Sequence, residues 1–465
     1  MNFVPSLKMM RMTAAIVVPA AGFGLFLQDS GALLLFLIAL FVLVAVTDLW
    51  MSLDRLTGIG ISGPAMARLL RDRPGTIELC LDRPVGPGLT RLRLALPLLE
   101  GLQYPHHEMT ILLPEGATLY RVLWDCLPVK RGDYPLEACH LEADSRLGLW
   151  QIRDRRPLAS QVRVYPNIQQ EARATAALFM NRGLHGIHAL RKAGKGREFE
   201  KIRDYVHGDN YADIHWKATA KRNRPVTKVF QIERTQEVYA VVDFSRLSAR
   251  ACESGRRTGS PHTLAGPGVV GAGESESETY LERFINSALV LGMAAQQQGD
   301  HFGLATFSDR THRVLTARSG RGHFNSCRDM LYGLFPQTVT PDFEEVFATL
   351  QLKLRKRALL VFLTNLDDPL LSEHFINSIE GLVRKHLILV VTLRPKGCRP
   401  VFSPGTIRTP GDVYEALGGH MQWHALAETE RILQHKGVHF LQTDDESLAV
   451  GLVAGYLNIK RRQLL

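Results

Sequence analysis

Six cysteines are spread over 465 residues, at Cys80, Cys126, Cys139, Cys252, Cys327 and Cys398, with no C-x-x-C pair and no Cys/His grouping at zinc spacing. Free thiols are therefore expected rather than a structural zinc site or a redox pair. No P-loop, Rossmann glycine fingerprint, c-type haem motif or G-x-S-x-G elbow occurs in a strand-to-helix setting. Most common enzyme classes lose their support on that ground, and no catalytic residue is nominated. Acidic residues are in the minority, 46 against 56 Lys and Arg, giving a formal charge of +10 that favours anionic surfaces. Hydrophobic residues at 45% and charged residues at 22% exclude wholesale disorder and a polytopic transporter.

Long apolar runs are almost absent after residue 54, and they concentrate in residues 12–51. Residues 12–27 are uncharged and contain Pro19, Gln28-Asp29-Ser30 interrupts, and residues 31–46 are apolar again, with Trp50 beyond. About 20 apolar residues cross a bilayer, so residues 1–54 are expected to form a transmembrane helical hairpin anchored in the lipid bilayer. A signal peptide with Lys8 and Arg11 as its basic start competes, although the second run follows almost at once. Basic residues precede the first run and follow the second (Arg55, Arg68, Arg71, Arg73), while the turn carries only Asp29. The positive-inside rule then predicts the inner (cytoplasmic) membrane, with the soluble domains facing the cytoplasm.

Between residues 55 and 166 the pattern has period two, as in Leu89-Thr90-Arg91-Leu92-Arg93-Leu94-Ala95-Leu96, and Pro, Gly and acidic turns separate the runs. This predicts a small β-sandwich. Residues 167–237 are polar and basic and lack long apolar runs, as a surface-wrapping connector would. From residue 238 to 465 short apolar strands alternate with helical stretches, which predicts an α/β sheet with helical crossovers. Runs such as Leu359-Leu360-Val361-Phe362-Leu363 suit central parallel strands covered on both faces. Residues 252–277 are rich in Gly, Ser, Glu and Pro, and are expected to be a disordered insertion after the first strand of that sheet.

Three stretches carry a resemblance. They are Gly183-Leu184-His185-Gly186, Glu198-Phe199-Glu200-Lys201-Ile202-Arg203-Asp204-Tyr205, and Gly208-Asp209 through Ile214-His215-Trp216-Lys217-Ala218-Thr219-Ala220-Lys221. Together they resemble the signature of the domain-of-unknown-function 58 family, approximately E-F-x-x-x-R-x-Y-x-x-G-D-x-x-R-x-I-D-W-K-A-T-A-R. Pro128-Val129-Lys130-Arg131-Gly132-Asp133-Tyr134 is similar to that family's P-x-x-R-G-x-Y turn. Two positions depart from the pattern: His215 stands where the family has Asp, and Ala212 where it has Arg. Arg203, Asp209, Trp216 and Lys217 alternate charge around an aromatic, which suits an interaction surface.

The resemblance implies a C-terminal domain like a von Willebrand factor A domain, so the expected fold class is α/β plus all-β: transmembrane hairpin, β-sandwich, A-like domain. It also implies a metal-ion-dependent adhesion site for Mg²⁺, built on D-x-S-x-S, a loop Thr and a later Asp; hard cations take such oxygen ligands. Carried over, Asp243, Ser245 and Thr340 match. Leu247 takes the third position with Ser248 one step late, and Asn365 replaces the carboxylate unless Asp367 takes its place, so the site reads as degenerate. The partner implied is a MoxR-type AAA+ ATPase, in systems that include a transglutaminase-like membrane protein. The expected function is thus a membrane-anchored interaction or assembly factor and not an enzyme. Lys217, Lys221, Arg222, Arg224 and Lys228 leave open a nucleic-acid or anionic-surface binder, and His215 with Asp213 a hydrolase.

Overall fold

The computed structural model describes residues 1–26, 31–82, 89–113, 118–181, 193–207, 209–231, 236–252, 278–395, 397–401 and 409–462. Gly183-Leu184-His185-Gly186, Gly208 and all of the expected insertion except Cys252 lie outside them. The chain divides into two compact units, one from Met1–Asn167 and one from Ile168–Pro261 with Ala272–Leu465. All six cysteines are free.

In the first unit, strands Trp150–Tyr165 and Gly132–Asp144 lie at the heart of a six-stranded sheet, and a second sheet has four strands. The alternation seen in the sequence becomes alternation of burial: in Gly75–Asp82, Ile77, Leu79 and Leu81 point inward while Thr76, Glu78 and Asp82 face out. One core takes residues from both sheets, including Ile77 and Trp124 from one and Leu94, Leu141 and Ile152 from the other. The edge of the Tyr104 or Trp124 ring meets the face of the other at 6.2 Å.

The N-terminal segment corrects the expected fold. Among the described residues no helix is long and apolar enough to cross a membrane, so the transmembrane hairpin is not found. The chain starts instead as a strand, Asn2–Pro5, pairing antiparallel with Trp150–Tyr165, followed by helices Leu7–Phe26 and Gly31–Ser52. The end of the second helix is committed to protein contacts. Asp48 is buried and accepts hydrogen bonds from Ser145 Oγ at 2.6 Å and Leu147 N at 2.9 Å. Trp150 Nε1 donates to the Ala45 carbonyl at 2.9 Å, and Arg146 N to Ser52 Oγ at 3.1 Å. A buried carboxylate with two donors binds this helix end to the loop between strands Gly132–Asp144 and Trp150–Tyr165, and the flanking-charge argument for orientation loses the spans it required.

The second unit centres on a six-stranded sheet of β1 (Glu237–Asp243), β2 (His301–Phe307), β3 (Thr311–Arg318), β4 (Leu359–Leu363), β5 (Leu387–Leu393) and β6 (His439–Thr443). Their order is 3-2-1-4-5-6, all parallel except the edge strand β3. Strand β1 feeds both faces. Val238, Ala240 and Val242 enter a core with helices Tyr280–Gln297 and Leu448–Arg461; Tyr239 and Val241 enter another with Phe343–Lys353 and Pro369–Ser378. The second core holds edge-to-face pairs of Phe375 with Phe343 and Phe347, at 5.0 and 5.2 Å. Gly303 is required in β2, because a Cβ there would come within 2.3 Å of the Tyr239 ring. Asp300, fully buried before β2, receives hydrogen bonds from Tyr456 Oη, Lys460 Nζ at 2.7 Å and Gln236 N at 3.2 Å, which ties the last helix to the sheet.

The connector region belongs to this second unit. Its helix Gln169–Asn181 packs on the two helices of the first core, with Asn286 Nδ2 donating to Glu171 Oε1 at 3.0 Å. Strands Ala193–Asp204 and Val226–Gln231 then form an antiparallel pair, and a short helix, Trp216–Arg222, lies between them in sequence.

Candidate functional site

In a sheet of this order the crevice outside the carboxyl ends of β1 and β4 is the topological switch point, where open α/β sheets bind ligands. Asp243 closes β1 there and is fully buried. Its Oδ2 accepts from Thr364 Oγ1 at 2.6 Å, and its Oδ1 from Ser245 N at 2.8 Å. Burial pushes the Asp243 carboxyl up to about 6, against the opposing pull of these bonds. Ser245 Oγ accepts from Leu247 N at 3.3 Å and caps the turn Arg246–Ala249. Leu247 is buried in the second core, and Ser248 Oγ donates to the Ser245 carbonyl at 2.9 Å.

The structure brings Asp243, Ser245 and Thr364 into direct contact. Thr340 is exposed, on a loop pinned beside them by Arg246 N donating to the Val339 carbonyl at 3.0 Å. Asn365 is buried, with Oδ1 accepting from Leu393 N at 3.2 Å and Nδ2 without a hydrogen-bond partner among the described residues. Asp367 pairs with Arg250, and Asp368 with Arg246 at 3.3 Å. Asp368 also caps helix Pro369–Ser378 through Leu370 N at 3.1 Å.

These donors do not fit a divalent cation. Mg²⁺ needs well-placed oxygen lone pairs. Here the Asn365 amide stands where a carboxylate is needed and presents a buried N–H, a guanidinium holds Asp367 through Oδ2, and each oxygen of Asp243 and the Ser245 hydroxyl already accepts one protein hydrogen bond. Among the described residues no group of three or more His, Cys, Asp or Glu gathers.

Sequence reasoning missed Arg246 and Arg250 as partners of Asp367 and Asp368. Their signal was two cations after β1 and two carboxylates after β4. It also missed Ser308 after β2, whose Oγ lies 2.7 Å from His312 Nε2 and donates to Gln337 Oε1 at 3.0 Å. Asp309 lies 3.5 Å from that same Nε2, not from the other ring nitrogen, and Ser308 is fully buried, so the trio braces loops and lacks the geometry of a nucleophilic triad.

The signature segment forms a second candidate site. Arg203 Nη2 meets Asp209 Oδ1 at 2.5 Å, and Val206 N donates to Asp209 Oδ2 at 3.1 Å. The Val206 bond first, then Arg203, holds the Asp209 carboxyl below its usual range. His215 Nδ1 accepts from Ala218 N at 3.0 Å and so caps helix Trp216–Arg222, doing what an Asp oxygen would do at that position. Asn223 ends the helix in the left-handed conformation. On this frame Trp216 is 68% exposed and Tyr211 72%, with Lys217 also exposed.

Comparison with known proteins bears on this segment and on the sheet. No curated protein matches the chain. Among solved structures, BatB from Bacteroides thetaiotaomicron shares 11% identity over 49% of this chain and 99% of its own, with a TM-score of 0.29. An aerotolerance-related membrane protein from Bacteroides fragilis shares 11% over 47% and 98%, with a TM-score of 0.26. Proximal thread matrix protein 1 from the mussel byssus, with a zinc-occupied MIDAS motif, shares 10% over 48% and 46%, at 0.23. Scores this low carry no argument about this chain. The family model described as "Protein of unknown function DUF58" matches residues 201–258 and 272–397. The chain thus resembles the DUF58 family, from the signature segment through strands β1 to β5.

Proposed function

We propose that this chain is a protein-interaction or assembly factor that docks a partner on the face of its signature segment. The observation that carries the reading is Trp216, a large aromatic exposed on a helix whose ends are capped and whose approach loop is closed by the Arg203–Asp209 pair. Rigid, exposed Trp and Tyr beside cations make favourable anchors for a protein partner, since little side-chain freedom is lost on binding. The partner we put forward is a MoxR-type AAA+ ATPase, which the family resemblance implies. His215 serves in helix capping, and no hydrolytic role is proposed for it.

The test is capture of a purified MoxR-type ATPase from the same genome by the tagged full-length chain. Binding that falls about tenfold or more in Trp216→Ala, with an unchanged melting temperature, supports the reading. Undiminished binding in that variant, absence of binding by the wild type, or recovery abolished by nuclease overturns it. The last result would favour anionic-surface binding through Lys217, Lys221 and Arg222.

A further inference from the structure

We infer that the signature face takes an acidic segment of its protein partner, with carboxylates seated on Lys217 and Lys221 and an apolar side chain laid against Trp216; this rests on the docking role proposed for that face. From Ile214 to Gln231 the chain carries Lys217, Lys221, Arg222, Arg224 and Lys228 and no Asp or Glu. The carboxylates before this stretch are largely committed. Asp204 pairs with Arg224 at 3.1 Å, and Asp209 with Arg203 at 2.5 Å. Asp213 is left, and it is half-buried. Among the described residues no ion pair reaches Lys217, Lys221 or Arg222, and all three are exposed. The face therefore keeps a surplus of positive charge that its own carboxylates do not offset.

Lys217 and Lys221 lie four residues apart on helix Trp216–Arg222, about 6 Å along its axis, and so on one side of it. Like charges at that spacing repel, a cost that two carboxylates of a partner would relieve. Trp216 and Ala220 have the same spacing one position earlier, which sets an apolar strip next to the lysines. The helix is held so that this side faces outward. His215 N donates to the Val226 carbonyl at 2.9 Å and Val226 N to Thr219 Oγ1 at 3.2 Å, while Trp216 and Ala220 stay exposed. An apolar strip beside two cations matches a peptide that carries both carboxylates and apolar side chains. Nucleic acid fits less well, because gripping it through about 6–10 phosphates takes as many cations, whereas those presented here are Lys217, Lys221 and Arg222.

The experiment measures fluorescence anisotropy of a short labelled peptide of Glu, with Leu at every third or fourth position, against the full-length chain. The same peptide with Gln or with Lys in place of Glu serves as comparison, and an oligo-dT strand and phosphatidylserine-containing vesicles as competitors. The expected result is binding of the Glu peptide that weakens with salt, falls about threefold or more in Lys217→Gln/Lys221→Gln, and about tenfold or more in Lys217→Glu/Lys221→Glu and in Trp216→Ala. Removing two exposed cations elsewhere, in Arg321→Gln/Lys353→Gln, should leave it unchanged. Melting curves check that each variant is folded, and Lys217→Gln alone should still weaken binding. Failure to bind the Glu peptide, equal binding of the Gln or Lys peptide, full binding by the folded lysine variants, or displacement by oligo-dT or vesicles at lower concentration than by unlabelled Glu peptide overturns the inference. Lysine-dependent binding of the Glu peptide without capture of the ATPase would sink the proposed partner and leave the inference standing; Trp216-dependent capture that survives Lys217→Glu/Lys221→Glu would do the reverse.

Discussion

Thr364 Oγ1 donates to Asp243 Oδ2 at 2.6 Å, joining the carboxyl ends of β1 and β4 across 121 residues of sequence. Asp243→Ala would strip the partner from both this hydroxyl and Ser245 N in a fully buried site. A loss of about 1–3 kcal/mol in urea denaturation is expected, with Asp243→Asn losing less because one acceptor remains.

The same carboxyl has a pH signature. Its folded pKa is raised to about 6 from 3.8, so between these values the folded chain holds more proton than the unfolded chain. This contribution is fully present below about pH 4 and is lost as pH rises through about 6. Asp243→Asn should remove that downward slope from stability measured across the window; an unaltered slope would contradict the assignment.

His386, just before β5, gives the opposite slope. It is buried, both ring nitrogens lack hydrogen-bond partners among the described residues, and burial followed by Lys385 and Arg357 pushes it down to about 4 from 6.5. The unfolded chain takes up the proton first, so stability is full above about pH 6.5 and falls as pH drops toward 4. His386→Leu should flatten this acid limb in a series of melting curves.

Asp300→Ala is expected to be among the costlier single changes in the α/β unit. It leaves the Lys460 ammonium and the Tyr456 hydroxyl without their buried acceptor, a loss of roughly 3–5 kcal/mol. Tyr456→Phe removes one bond and should cost about 1 kcal/mol. Hydrogen exchange in helix Leu448–Arg461 should report both changes in that order.

Residues 253–277 should be replaceable by a short Gly/Ser linker without unfolding the α/β unit. Cys252 N donates to the Glu278 carbonyl at 2.5 Å and Ala251 bridges Thr279, so the flanking backbone already meets. A shorter link between adjacent ends adds little closure entropy. A melting temperature that collapses on replacement would refute this.

Much of the α/β unit was legible along the chain. Leu359–Leu363 and Leu387–Leu393 read as central strands because parallel strands covered on both faces need unbroken apolar runs. The signature around Arg203, Asp209 and Trp216 was legible as well, since its spacing is local and its caps act within a few residues. The pairing of Arg246 with Asp368 and Arg250 with Asp367 was not, because no periodicity links positions 122 and 117 residues apart.

The N-terminal run shows the same division. Sequence alone determined that residues 31–46 are helical and apolar, because Leu, Ala, Ile, Val and Phe have no other polar need to satisfy. A span and a protein-capped helix share that composition. The difference rests on Asp48, Ser52 and Ala45 meeting Ser145, Leu147, Arg146 and Trp150 almost a hundred residues on. Likewise, the family resemblance singled out Asp243 and Asn365, but only the fold decided which donors their oxygens meet. Hydrogen-bond partners across a sheet are set by tertiary register, and that register decides which donors each oxygen meets.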